Sequence, residues 1–339
     1  KFVFCPLLNE SRCEFTTGRT AFTATVYNPT SFRRDIPISV PVAPGAWQVV
    51  GPDGQRIRAD TVTTNGAYEA GGQANVVFMA SVEPLGLSAY RISTTEAEET
   101  KGSSSAMEIS NGDITLSFAP SGLADSITFA DTNVTMPFSF DLHWYNSSDG
   151  QESDVNRGQS SGAYIFRPNG RYPLLPPGTN VTLEIFHGEV VSEARQTFNQ
   201  WGSLVIRLYK ARPYLELEWR VGPLPLDEIG REVIIVYNVP QALSEMWTDA
   251  NGRTMIRRLR KERFSWDSRY ADEVAGNYYP ITSAAVLQDP AKDAPGASLV
   301  ILTDRAQGAA SLQDGQIEVM LHRRTIVDDG RGVEEPLDE

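Results

Sequence analysis

One imidazole, three guanidiniums and two carboxylates crowd the twelve residues Leu321–Gly332: His322, Arg323, Arg324, Asp328, Asp329 and Arg331. Arginine presents its donors in a planar fork, so a cluster of this kind can grip carboxylates or polar hydroxyls. The bland reading is a solvated loop. On a strand, successive side chains alternate between faces, so only one of Arg323 and Arg324 can point into a site. Asp328 and Asp329 would likewise diverge, so the pair does not by itself supply the acid and base of a glycosidase.

Two further segments carry polar aromatic chemistry. In Ser160–Gly170, small residues allow close backbone approach, and Tyr164 can stack on a ring or bond a hydroxyl. The competing reading is a core tyrosine on a strand. In Val274–Pro280, Tyr278 and Tyr279 read as the start of a strand with one ring buried and one exposed. The basic run Arg257–Arg263 could hold an anion, but on an acidic chain it reads better as a charged edge strand that deters pairing. Asp249-Ala250-Asn251-Gly252 lacks the later ligands of a calcium loop and reads as a hairpin turn. His143, His187 and His322 are far apart, with no metal-binding spacing among them. No P-loop and no G-x-S-x-G elbow occurs.

The elements that must position these residues are strands. The recurring unit is a short alternating or β-branched run closed by Gly, Pro, Asn or Asp, as in Ala21–Tyr27, Trp47–Val50, Val181–Phe186, Leu204–Tyr209, Leu215–Trp219, Leu299–Thr303 and Ile317–Leu321. Pro37 marks Ile36–Val40 as an edge strand. Helical periodicity is almost absent, and the fold class is all-β. Residues 96–107 are polar, acidic and serine-rich, which suits a linker. The expected organisation is a small β-sandwich over 1–95, that linker, and a large β-supersandwich domain over 108–339 that continues beyond the last residue.

The net charge of −13 argues against a nucleic-acid partner, which requires a basic face. No run approaches the roughly 18 consecutive apolar residues of a membrane helix, and the chain opens on a strand-like Phe2-Val3-Phe4 with no apolar h-region, so a leader is expected upstream of Lys1. Cys5 and Cys13 are the only cysteines, and two so close read as one local disulfide rather than two buried thiols. Four sequons, at Asn9, Asn133, Asn146 and Asn180, point the same way, toward a glycosylated chain of the secretory pathway. Together these features suggest a processed fragment of a longer protein.

The motifs also occur in a meaningful order. Ser161–Asn169, Thr248–Arg253, Val274–Pro280, Leu302–Gly308 and His322–Gly332 resemble the C-terminal half of glycoside hydrolase family 38, the α-mannosidases of lysosomal type. Cys5–Asn9 and Val26–Pro29 resemble the segments that follow the catalytic domain in that family. The resemblance implies a zinc-dependent retaining mannosidase acting on N-glycans, with zinc, nucleophile and acid/base on a separate N-terminal catalytic chain and a possible further C-terminal fragment. It implies that Tyr164 reaches the mannose pocket and that Arg323 or Arg324 borders it. It also implies that this chain alone is inactive and resides in the lysosome. The alternative is a glycosylated carbohydrate-binding or adhesion module with no enzyme attached.

Overall fold

A computed structural model describes residues 2–64, 73–96, 106–151, 158–210, 212–240, 243–262, 272–289 and 298–337. Apart from one short helix, α1 (Glu14–Thr17), and two 3₁₀ turns, its regular structure is strand, in keeping with the alternating patterns of the sequence. The first seven strands are β1 (Ala21–Tyr27), β2 (Arg34–Val42), β3 (Trp47–Val50), β4 (Arg56–Ile57), β5 (Ala59–Thr64), β6 (Gln73–Val82) and β7 (Leu87–Thr94). They form two antiparallel sheets, ordered β1-β7-β3-β4 and β2-β6-β5. Between the sheets lies a core that includes Val42, Val49, Phe78, Tyr90 and Ile92. Pro37 is accommodated because β2 is an edge strand, where a missing N–H faces no partner. Cys5 and Cys13 form the disulfide, with their Cα atoms 5.3 Å apart.

Beyond residues 97–105, which are outside the described set, the chain continues as β8 (Glu108–Ser110), β9 (Ile114–Phe118), β10 (Ala124–Phe129), β11 (Val134–Pro137), β12 (Ser139–Ser147) and β13 (Pro168–Pro173). Next come β14 (Thr182–His187), β15 (Val191–Asn199), β16 (Gly202–Tyr209), β17 (Glu216–Val221), β18 (Arg231–Asn238), β19 (Glu245–Ala250) and β20 (Thr254–Arg258). The last are β21 (Tyr279–Ile281), β22 (Ala284–Gln288), β23 (Ser298–Leu302), β24 (Gln307–Ala310) and β25 (Gln316–Arg324). A six-stranded sheet, β13-β12-β18-β25-β24-β21, is accompanied by three four-stranded sheets. One large core, including Phe140, Leu142, Leu204, Ile206, Ile235 and Ile317, is shared among them. The β19–β20 hairpin turns at Asn251 and Gly252, whose φ values of 53° and 66° are those of a type I′ turn. This is the hairpin that the sequence suggests, and Asp249 closes it by accepting the Gly252 amide.

The two sets of sheets meet at a small apolar cluster of Val62, Val77, Val190, Val191 and Tyr209. Beside it, the fully buried carboxylate of Asp60 on β5 accepts the amides of Glu189, Val190 and Val191 at 2.8, 2.7 and 2.9 Å. A carboxylate that takes up three orphan amides satisfies the turn before β15 and clasps one sheet set to the other.

Three expectations need refinement. The strand predicted over Ile317–Leu321 continues through Arg324, so the charge cluster begins on a strand rather than after one. Val274–Pro280 opens with a 3₁₀ turn, Ala275–Asn277, and both tyrosines that follow are half-buried, not one buried and one exposed. The tail Asp328–Asp329 lies beyond β25, where strand alternation does not apply.

Candidate functional site

The six-stranded sheet has one face on the large core and a second face of unusual polarity. On that second face stand Tyr145 from β12, Glu232, Ile234 and Val236 from β18, and Glu318, Met320 and Arg323 from β25. Arg323 reaches this face through a β-bulge. The β18–β25 register slips between Ile234↔Met320 and Val233↔His322, leaving Leu321 as the extra residue. Bulges re-aim side chains in this way. Strict alternation from Glu318 and Met320 would have brought Arg324 here instead.

The guanidinium of Arg323 donates to Glu232 Oε1 from Nη2 at 2.5 Å and from Nε at 2.9 Å, and to the Ile165 carbonyl at 2.8 Å. It also lies 5.8 Å from the Phe166 ring centroid. Among the described residues its Nη1 meets no acceptor. Arg324 points the other way. It is buried, and it donates to the carbonyls of Asp227 and Ile229 in the loop before β18. Of the two arginines, Arg323 is the one that lies beside the Tyr164 segment.

Residues 158–167 arch over this face between β12 and β13. Phe166 is the hub, packed edge-on against Tyr145 at 5.6 Å and Tyr278 at 5.0 Å. Both phenols donate to the buried carboxylate of Glu318, at 2.8 and 2.5 Å, and Arg171 pairs with the same group at 2.9 Å. Burial, with Glu318 beside them, pushes both phenol pKa values up, so they stay protonated donors. Ser161, fully buried, accepts the Arg167 amide at 2.7 Å and faces Glu232 Oε2 at 3.3 Å. Burial raises the Glu232 carboxyl above its usual range, although Arg323 opposes the shift.

Tyr164 sits at the tip of the arch with 68% of its surface exposed, so it is not the core tyrosine that its pattern also allowed. Its backbone is firmly held. Asp329 Oδ2 accepts the amides of Tyr164 at 2.7 Å and Ile165 at 3.1 Å, and Oδ1 accepts the Arg331 amide at 3.0 Å. A Cβ on Gly162 would come within 2.6 to 2.8 Å of Asp329, so only glycine permits this approach. The small residues before Tyr164 thus serve the close contact that they suggest in sequence. Ser160 Oγ and Gln159 Nε2 add bonds to the carbonyls of Asp328 and Asp329 at 2.6 and 2.8 Å.

Other candidate residues resolve differently. The basic run lies at the edge of the sheet β20-β19-β22-β23, and Arg257, Arg260 and Lys261 pair with Glu245, Asp314 and Glu273. Arg258 stacks on Tyr279. Arg263 lies outside the described residues. Of the sequons, Asn133 and Asn180 are exposed in loops, and Asn146 is half-buried on β12. Asn9 lies in the 3₁₀ turn Leu8–Glu10. His143, His187 and His322 sit on three different strands. No three His, Cys, Asp or Glu side chains among the described residues converge to hold a metal, so these donors do not fit zinc. Among the described residues no helix is long and apolar enough to cross a membrane.

Glu232 and Glu318 border the arch without any mark in the sequence, whereas Asp329 and Phe166 lie in segments that the sequence singles out and only their contacts go unforeseen. The available signal was the pairing of a glycine-bearing arch with an Asp-Asp-Gly tail.

A sheet, an arch clamped by Asp329, an exposed phenol and a half-buried guanidinium come together at one place on this β-domain. The model for the glycosyl hydrolases family 38 C-terminal domain matches residues 109–331. The lysosomal alpha-mannosidase of Homo sapiens is 36% identical over 352 residues, covering 100% of this chain and 34% of that protein. The corresponding bovine protein is 36% identical over 342 residues, covering 100% and 33%. The alpha-mannosidase of Canavalia ensiformis is 35% identical over 367 residues, covering 100% and 37%. The chain belongs to glycoside hydrolase family 38, and it spans about a third of the length of these relatives.

Proposed function

We propose that this chain is the β portion of a lysosomal, zinc-dependent, retaining α-mannosidase, and that it completes the sugar pocket of a separate catalytic chain acting on α-D-mannosides of N-glycans. The observation that carries this reading is the arch: Tyr164 projects from a backbone fixed by Asp329, next to Arg323, whose Nη1 meets no acceptor among the described residues. A phenol and a guanidinium held in this way can bond sugar hydroxyls and keep the ring in line for attack. The retaining reaction needs a nucleophilic carboxylate and an acid/base about 5 Å apart. In this reading both groups, and the zinc, belong to the catalytic chain. Family membership and the names of the relatives support the substrate class and the lysosomal setting. An N-terminal catalytic chain, and possibly a further C-terminal fragment, are the partners.

The test is direct. The isolated chain should not hydrolyse an aryl α-mannoside, and a catalytic polypeptide should co-purify from the native source. Hydrolysis by the pure chain overturns the divided-site reading.

A further inference from the structure

Two carboxylates lie beneath the arch, out of reach of any ligand at its tip: Glu232 is fully buried and Asp329 is 4% exposed. A buried carboxylate is costly unless its oxygens are bonded, and here they are bonded to the two groups already singled out. Glu232 gives one oxygen to Arg323 and turns the other toward Ser161 at the foot of the arch. Asp329 spends both oxygens on backbone amides, and one of these is the amide of Tyr164 itself. Gly162 keeps the space that Asp329 needs.

The geometry points to Asp329 and Glu232 as positioning residues of the sugar pocket: Asp329 fixes the backbone from which Tyr164 projects, and Glu232 fixes the fork of Arg323. This inference rests on the reading of Tyr164 and Arg323 as pocket residues. It goes further in assigning the precision of that pocket to two groups that never touch sugar. A carboxylate that only stabilised the fold would affect melting and leave the kinetics of the folded enzyme alone. A positioning carboxylate acts through its client, so its effect disappears when the client is absent.

A double-mutant cycle in the complete enzyme separates these roles, with kcat and KM for an aryl α-mannoside and the melting temperature as readouts. Tyr164→Phe and Arg323→Met each lower kcat/KM if the pocket reading holds, and parental kinetics in both would overturn that reading. Asp329→Asn should then lower kcat/KM by about ten- to a hundredfold, as expected for a displaced binding group. In the Tyr164→Phe background it should cost little more. Glu232→Ala should behave likewise against Arg323→Met, and Glu232→Gln, which keeps the shape, should recover part of the loss. If Asp329→Asn does not fold, Gly162→Ala displaces the same carboxylate and serves in its place. Folded variants with parental kinetics, or losses that multiply independently of Tyr164 and Arg323, overturn the positioning role while leaving the pocket reading intact.

Discussion

Two buried carboxylates in this molecule sit under opposite regimes. Glu193 on β15 is 3% exposed and is gripped by two guanidiniums, Arg195 at 2.6 Å and Arg207 at 2.7 Å. Glu232 on β18 is fully buried and, among the described residues, faces a single guanidinium, Arg323. Burial raises both pKa values, but at Glu193 the fields of Arg207 and Arg195 overcome it and hold the carboxyl low. At Glu232 burial wins and the carboxyl is raised. The first is a charge locked in place near the junction of the two cores. The second shares its site with a single guanidinium, whose Nη1 meets no acceptor among the described residues. The two carboxylates thus differ in the number of guanidiniums they meet among the described residues, not in burial.

That contrast can be broken deliberately. Arg207→Met should have the largest effect, because it strips a fully ionised buried carboxylate of its main partner. A loss of about 3–5 kcal/mol in urea unfolding is expected, and a loss under 1 kcal/mol would dissolve the comparison. Arg323→Met should cost less, about 1–3 kcal/mol, since Glu232 can take up a proton. Its penalty should grow as pH rises from 5 to 8, and a penalty independent of pH would show that Glu232 does not take up that proton. Tyr278→Phe tests the intermediate case of Glu318, which balances one arginine with two phenols. Removing one donor should cost about 1 kcal/mol, read as a lower urea midpoint, and it should leave Tyr145 bonded.

The smallest effect is in the pH dependence of melting, and its sign is opposite at the two sites. Glu193, with a lowered folded pKa, contributes stability above the unfolded value of about 4.3 that is lost as pH falls below it. Glu193→Gln should therefore be most harmful at neutral pH, with a shrinking penalty in acid. Glu232, with a raised folded pKa, contributes stability in acid that is lost as pH rises through the folded value. Glu232→Gln should therefore look worst in acid and improve toward neutrality. Parallel trends in the two melting series would show that the regimes are the same.

Much of the framework was legible from alternation and turn chemistry. β1, β3, β14, β16, β17 and β23 fall within about two residues of their expected runs, and Asn251-Gly252 announced its hairpin. The arch with Tyr164 and the arginine pair were visible as residue types. What one sequence could not reveal was which arginine faces the arch. Apolar alternation through Ile317, Val319 and Leu321 puts Arg323 on the core side, and only the bulge reverses this. Glu232 was equally hidden, because its partners lie 71 and 91 residues away. A lone glutamate at the head of a strand carries no mark of such contacts.

The clasp at Asp60 has a consequence for the order of assembly. Its three bonds join residues 129 to 131 positions apart, so they cannot form until both ends have been placed by their own sheets. Contacts of such long sequence separation are closed late, after local hairpins have formed. The clasp then acts as a latch that makes two separately nucleated cores unfold as one. Asp60→Ala should split a single calorimetric transition into two, and a single transition in that variant would mean that the remaining contacts, the apolar cluster of Val62, Val77, Val190, Val191 and Tyr209 with the polar contacts Arg58–Glu189, Arg220–Glu10 and Arg195–Thr63, suffice to couple the halves.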